Sequence, residues 1–197
     1  RGVVKMACNK PGAEIYYKVG KKGKAVKYTE PIDFNVGGSI TVWEKATPDL
    51  KATYNFEEIT SVPVVVTASS SSEPGSGPEM MLDGDPTTIW HSMYSVTVAN
   101  YPHWIEFDAI NEVTIKGFKY MPRQNGNNGN VKGYKFEVSL DGKEWSLVAE
   151  GEFPYSAEKQ SVLFGKSAKA RYVRFTATSS QNGLDFASGA EFELIKE

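Results

Sequence analysis

The chain has 197 residues, 40% of them hydrophobic and 12% aromatic, which is ample for packed cores and outside the disordered class. Its 22 basic and 24 acidic residues leave a formal charge of −2, so no basic stripe offers itself to phosphates and nucleic acid is not an expected partner. No run reaches the length of apolar residues that spans a bilayer, so no membrane insertion is expected, and Cys8 alone cannot form an intrachain disulfide.

Strand-like runs follow one another along the chain. Glu14-Ile15-Tyr16-Tyr17-Lys18-Val19, Ser39-Ile40-Thr41-Val42-Trp43 and Val64-Val65-Val66-Thr67 are rich in β-branched and aromatic residues. His103–Asp108, Val113–Tyr120, Tyr134–Ser139, Arg171–Thr176 and Ala190–Ile195 continue the series. Most alternate apolar with polar residues, the period of a strand with one buried face. Gly, Asn, Asp and Pro clusters separate them, and no window carries a helical period. The expected fold class is all-β, built of sandwiches.

Two domains are expected, residues 1–58 and 59–197. The first holds several short strands, enough for a small sandwich of marginal stability. Glu57-Glu58-Ile59-Thr60-Ser61 forms a polar connection to the second. The Ser-, Pro- and Gly-rich tract from Ser69 to Gly77 reads as a surface loop rather than a linker, because Val64-Val65-Val66 before it needs a sheet to be buried in. The chain begins at Arg1 with neither an initiator Met nor a signal-like run, so it is expected to be a piece of something larger.

The densest chemistry lies in Leu82-Asp83-Gly84-Asp85-Pro86-Thr87-Thr88-Ile89-Trp90-His91-Ser92. An Asp-Gly turn orients carbonyls inward, and carboxylate and hydroxyl oxygens add to them. Calcium takes roughly six to eight such oxygens at about 2.3–2.6 Å, and Glu191 in the last strand is a candidate second acid. The same turn also reads as a plain Asx-turn between strands. Four further residues, His91, Arg123, Asn128 and Phe186, each have a bland explanation singly. Together they supply what a pyranose needs, an aromatic for its C–H face and donors and acceptors for its hydroxyl rim. Asn127 or Asn130 would serve in place of Asn128 if the Asn125–Asn130 loop is shifted. No paired glycosidase carboxyls, nucleophile elbow, zinc pair or phosphate loop is recognisable, so this chain is not expected to be an enzyme.

From about Val62 to Glu197 the chain resembles the discoidin, or coagulation factor five/eight type C, domains, and among them the family 32 carbohydrate-binding modules. The residues that carry the likeness are Asp83-Gly84-Asp85, Thr88, Trp90-His91-Ser92, Pro102–Asp108, Gly117-Phe118, Tyr120 and Pro122-Arg123. Tyr134, Val138-Ser139, Asp141-Gly142, Trp145, Ala170–Arg174 and Ala190-Glu191 complete them. The resemblance implies a jelly-roll sandwich with a structural calcium, whose ligands fall on Met80, Asp83, Asp85, Thr88, Ala190 and Glu191. It also implies a sugar site at His91, Tyr94, Arg123, Asn128 and Phe186, selective for galactose or N-acetylgalactosamine. The first domain resembles the chitobiase C-terminal-like immunoglobulin-type sandwich through Pro11–Tyr17, Pro31-Ile32 and Gly37–Thr41. These likenesses imply a monomeric, non-catalytic module for glycans with terminal galactose-type sugars, covalently part of a larger hexosaminidase- or fucosidase-like hydrolase. The protein is then expected to be secreted, periplasmic or on a bacterial cell surface. The alternative is a discoidin-type adhesion or protein-interaction module without sugar specificity.

Overall fold

The computed structural model describes residues 2–197 and is all-β apart from one short helix. The chain divides into two compact units, Arg1–Thr60 and Ser61–Glu197. In the first, β1 (Val3–Val4), β2 (Ile15–Val19), β3 (Val26–Lys27), β4 (Ile32–Asp33), β5 (Val36–Glu44) and β6 (Lys51–Glu58) follow in order. A four-stranded antiparallel sheet runs β3–β2–β5–β6, and β1 pairs separately with β4. Its buried core is small, centred on Phe34 and Ile40, with Phe56 edge-on to Phe34.

The second unit contains β7 (Ser61–Val62), β8 (Val65–Ser69), a 3-10 helix (Pro78–Leu82), β9 (Trp90–His91) and β10 (His103–Met121). After these come β11 (Gly133–Ser139), β12 (Ser146–Glu152), β13 (Gln160–Ala177), β14 (Ser188–Gly189) and β15 (Glu191–Lys196). The main sheet runs β12–β11–β13–β10–β15–β7, with β8 also on β10, and β9 pairs with β14 apart from it. β10 joins the layers. Its first half pairs with β8, from Ile105 opposite Ser69 to Asp108 opposite Val65, and its second half pairs with β15, from Ile115 to Met121. Val65, Val66 and Thr67 of the expected Val64–Thr67 run therefore do lie in a sheet, and the tract after Ser69, which closes β8, is a loop within this unit.

The two expected strands His103–Asp108 and Val113–Tyr120 are one strand. Between them the pairing with β13 slips, Ile110 takes φ 70°, and its amide is held by the Asp108 carboxylate at 2.7 Å. A bulge absorbs the Ala109-Ile110-Asn111-Glu112 stretch between them, and it bends the strand so that each half serves a different layer. Rings from the two layers then meet face to face. Phe107 stacks on Phe192 at 4.4 Å between centroids, and Phe118 on Phe136 at 4.5 Å. All four are almost wholly buried, and this aromatic spine makes the unit a jelly-roll-like sandwich.

Candidate functional site

Every residue expected to touch sugar lies around one hollow of about 370 Å³ in the second unit, lined by Ser76, Ile89, His91, Tyr94, Arg123, Asn128 and Phe186. A larger hollow, about 770 Å³, belongs to the first unit, is mostly apolar and contains none of them. Volume and chemistry point to different places here, and the convergence of polar groups is the better guide to a site.

His91 ends β9, whose partner β14 places Ser188 opposite it. The His91 ring is buried, with Nδ1 2.7 Å from the Ser92 carbonyl. A carbonyl only accepts, so Nδ1 carries the proton and Nε2 is left as an acceptor. Burial, chiefly, holds the His91 pKa below the ordinary histidine value, and the nearby Arg123 charge acts in the same direction. The ring packs against Tyr94 at 4.8 Å and Phe186 at 5.4 Å, and those two lie 6.0 Å apart. Tyr94 remains about half exposed.

Arg123 lies two residues past the end of β10, after Pro122. Its amide donates to Asn130 Oδ1 at 3.1 Å, while its buried Nε has no partner. Among the described residues its guanidinium makes no ion pair. An unpaired buried guanidinium nitrogen is costly, so its lack of a protein partner calls for an explanation. Asn128 presents Oδ1 to Asn182 Nδ2 at 3.0 Å, and its carbonyl accepts from Ser188 Oγ at 2.8 Å. The loop is pinned by Gly129, whose φ is 82°. A Cβ there would stand 2.7 Å from the Ala187 carbonyl carbon and the Ser188 nitrogen. The neighbouring asparagines face other duties, since Asn127 donates to the Tyr155 hydroxyl and Asn130 braces Arg123.

Three supporting residues escape a reading of the sequence. Glu73, buried in the polar Ser69–Gly77 tract, accepts from the Tyr94 and Ser95 amides at 2.8 and 3.0 Å. Hydrogen bonds from Ser95 foremost hold its carboxyl below the usual range. His103 Nε2 donates to the Asp185 carbonyl at 2.7 Å, and the Tyr101 hydroxyl donates to that of Phe186. Glu73 thus fixes the segment carrying Tyr94, and Tyr101 with His103 fixes the one carrying Phe186. The partners are far apart in sequence, and only a run such as Pro102-His103-Trp104 hints at any role.

The oxygen-rich turn lies next to this hollow in the chain. Gly84 turns it at φ 76°, and the Asp85 amide donates to Asp83 Oδ1 at 2.8 Å. The Thr88 hydroxyl is 2.6 Å from Asp83 Oδ2 and 2.9 Å from the Asp85 carbonyl. Asp85 is held below the usual carboxylate range by hydrogen bonds from Thr87. Glu191 Oε1 is buried without a partner, and burial, then the charge of Asp83, raises its pKa. Met80 sits on the 3-10 helix, which packs on β15, and Ala190 donates its amide to Met121 O. Among the described residues no three His, Cys, Asp or Glu side chains gather as a metal-binding set. Any ion here would depend on carbonyl and hydroxyl oxygens as well as carboxylates, a donor set that suits a hard cation.

The family profile described as the F5/8 type C domain matches residues 65–192. A sialidase of Micromonospora viridifaciens is 40% identical over 116 residues, which cover 58% of this chain and 18% of the sialidase. A lacto-N-biosidase of Bifidobacterium bifidum is 26% identical over 216 residues, covering 95% of this chain and 19% of that enzyme. Among solved structures, a family 32 carbohydrate-binding module of Clostridium perfringens, in complex with GalNAc-β-1,3-galactose, superposes with a TM-score of 0.63. It is 30% identical and covers 68% of this chain and 99% of its own. The chain spans about a fifth of the length of these curated relatives. The fold and these likenesses define a carbohydrate-binding module. The chain belongs to the F5/8 type C, or discoidin, domain family and, within it, resembles the family 32 carbohydrate-binding modules.

Proposed function

We propose that the second unit binds a terminal galactose-type sugar, galactose or N-acetylgalactosamine, in the hollow formed by His91, Tyr94, Arg123, Asn128 and Phe186. The observation that carries this reading is the unpartnered Arg123 Nε beside the neutral, acceptor-bearing His91. A donor fork and an acceptor side by side suit an axial hydroxyl, and the half-exposed Tyr94 ring with Phe186 suits the apolar sugar face. None of the seven lining residues is a carboxylic acid, which favours binding over hydrolysis by a carboxyl pair. One sugar ring held this way is expected to bind with about −4 to −6 kcal/mol, or roughly 1 mM to tens of μM.

The residues also fit a structural calcium. The orphaned Glu191 Oε1, with Asp83, Asp85 and Thr88 close by, is an oxygen cradle with unspent charge, and the Met80 and Ala190 carbonyls would complete it. Bound there, the ion would stitch the turn before β9 to the start of β15. The first unit is proposed as an immunoglobulin-like spacer, and the whole as an accessory part of a secreted or surface glycoside hydrolase. The lacto-N-biosidase likeness, which extends over the first unit, supports this.

The test is calorimetric titration of Arg123→Ala with galactose. Binding should fall below detection while the melting temperature stays within about a degree, because the side chain holds no structural partner. Unchanged affinity in this variant would remove the hollow from consideration.

A further inference from the structure

A second hollow lies on the other side of the loop that carries Asn128. It measures about 330 Å³ and is lined by Gly126, Asn127, Asn130, Tyr155, Ser156, Ala157 and Gln181. Consecutive residues of one loop face the two hollows, Asn128 the first and Asn127 the second. Asn130 joins them more tightly, since it lines the second hollow while its Oδ1 holds the Arg123 amide of the first.

The chemistry of the second hollow is that of a neutral polyol site. None of its seven lining residues carries a charge. Tyr155 is 71% exposed, so its ring face is open, and its hydroxyl is fixed by Asn127 Nδ2 at 3.0 Å. Gln181 commits Nε2 to the carbonyls of Val131, Phe153 and Pro154, at 2.9 to 3.2 Å. That anchors its amide and leaves Oε1 as a rigid acceptor. Ser156 accepts from the Glu158 amide and keeps its own hydroxyl proton to donate. An open aromatic face ringed by fixed donors and acceptors is how protein surfaces hold sugar rings. A large exposed aromatic beside a hollow gains little unless something covers it.

We propose that this hollow is a second carbohydrate subsite, which takes the penultimate, neutral sugar of a glycan whose terminal residue occupies the first. This rests on the reading of the first hollow as a galactose-type site. The Asn125–Asn130 loop is then a saddle over which a disaccharide lies, and Tyr155 with Gln181 selects linkages that bend across it.

The test is backbone-amide NMR titration of the intact chain with galactose, lactose, N-acetyllactosamine and GalNAc-β-1,3-galactose. Galactose should shift signals around His91, Arg123 and Asn128 alone. At least one disaccharide should also shift Asn127, Tyr155 and Gln181 and bind about three- to tenfold more tightly. Tyr155→Ala should abolish that gain and leave the affinity for galactose unchanged. If no disaccharide moves the second group of signals while galactose moves the first, the subsite is overturned and the first site stands. If no sugar moves either group, both readings fall. Loss of galactose binding in Tyr155→Ala would show one site rather than two.

Discussion

His91 and Arg123 do different things although both face the hollow. Arg123 is supported through its backbone, so truncating it should cost affinity and little stability. His91 is buried between Tyr94 and Phe186. His91→Ala should therefore abolish binding and also destabilise the unit by about 1–3 kcal/mol, measurable by urea denaturation. The His91 tautomer also gives the affinity a pH dependence. Its pKa is depressed in the fold, so the neutral form persists through neutral pH. Both stability and acceptor function are lost as pH falls through a value below the ordinary 6.5. Galactose affinity measured by calorimetry should be flat from about pH 8 down to 6.5 and fall in more acid solution. An affinity that rises on acidification would mean His91 acts as a charged donor.

At the scale of elements, the loops around the hollow are held by contacts that local sequence does not advertise. Gly129→Ala should be costly twice over, through its positive φ and through a Cβ pressed onto the Ala187–Ser188 backbone. A loss of about 2 kcal/mol or more in stability, together with weakened galactose binding, is expected by denaturation and calorimetry. The oxygen-rich turn gives a second prediction. Glu191 has a raised pKa, so in ion-free protein its contribution to stability is present below its unfolded value of about 4.5 and lost as pH rises through the folded value. Glu191→Gln should then be at least as stable as the ion-free wild type at pH 7, and its melting temperature should no longer respond to calcium. Wild-type protein should gain about 5–10 °C when calcium is present at roughly a hundred times its dissociation constant. A melting temperature indifferent to chelator would exclude a calcium role for the cradle.

The same elements show what the sequence discloses and what it conceals. Strands with one buried face, such as Tyr134–Ser139 and Arg171–Thr176, announce themselves by alternation. β12 does not, because it is an edge strand with most residues exposed, and neither does the first half of β13, where Gly165, Lys166 and Ser167 blur the period. The unity of β10 is hidden by its bulge. His91, Arg123 and Asn128 each have a bland explanation singly, and they stand out in the sequence because they match, in type and order, the positions that the family resemblance implies. Glu73, Tyr101 and His103 are not, since each acts on backbone distant in sequence.

For the whole molecule, the hollow proposed to bind sugar and the oxygen-rich turn share their chain segments. Asp83–Thr88 runs into β9 with His91, and β14, paired to β9, runs through Ala190 into Glu191. An ion in the cradle would stiffen both walls of the hollow without touching sugar, so chelation should weaken galactose binding as well as lower the melting temperature. A single-ring site of this kind gains useful strength from repetition or from tethering to an enzyme that acts on the same glycan. The most direct measurement is a calorimetric titration of galactose and of glucose, which differ in the orientation of one hydroxyl, into the intact chain in calcium buffer. Galactose should bind between about 1 mM and tens of μM, with glucose at least tenfold weaker. Equal binding of the two, or none of either, would contradict an axial-hydroxyl site built on His91 and Arg123.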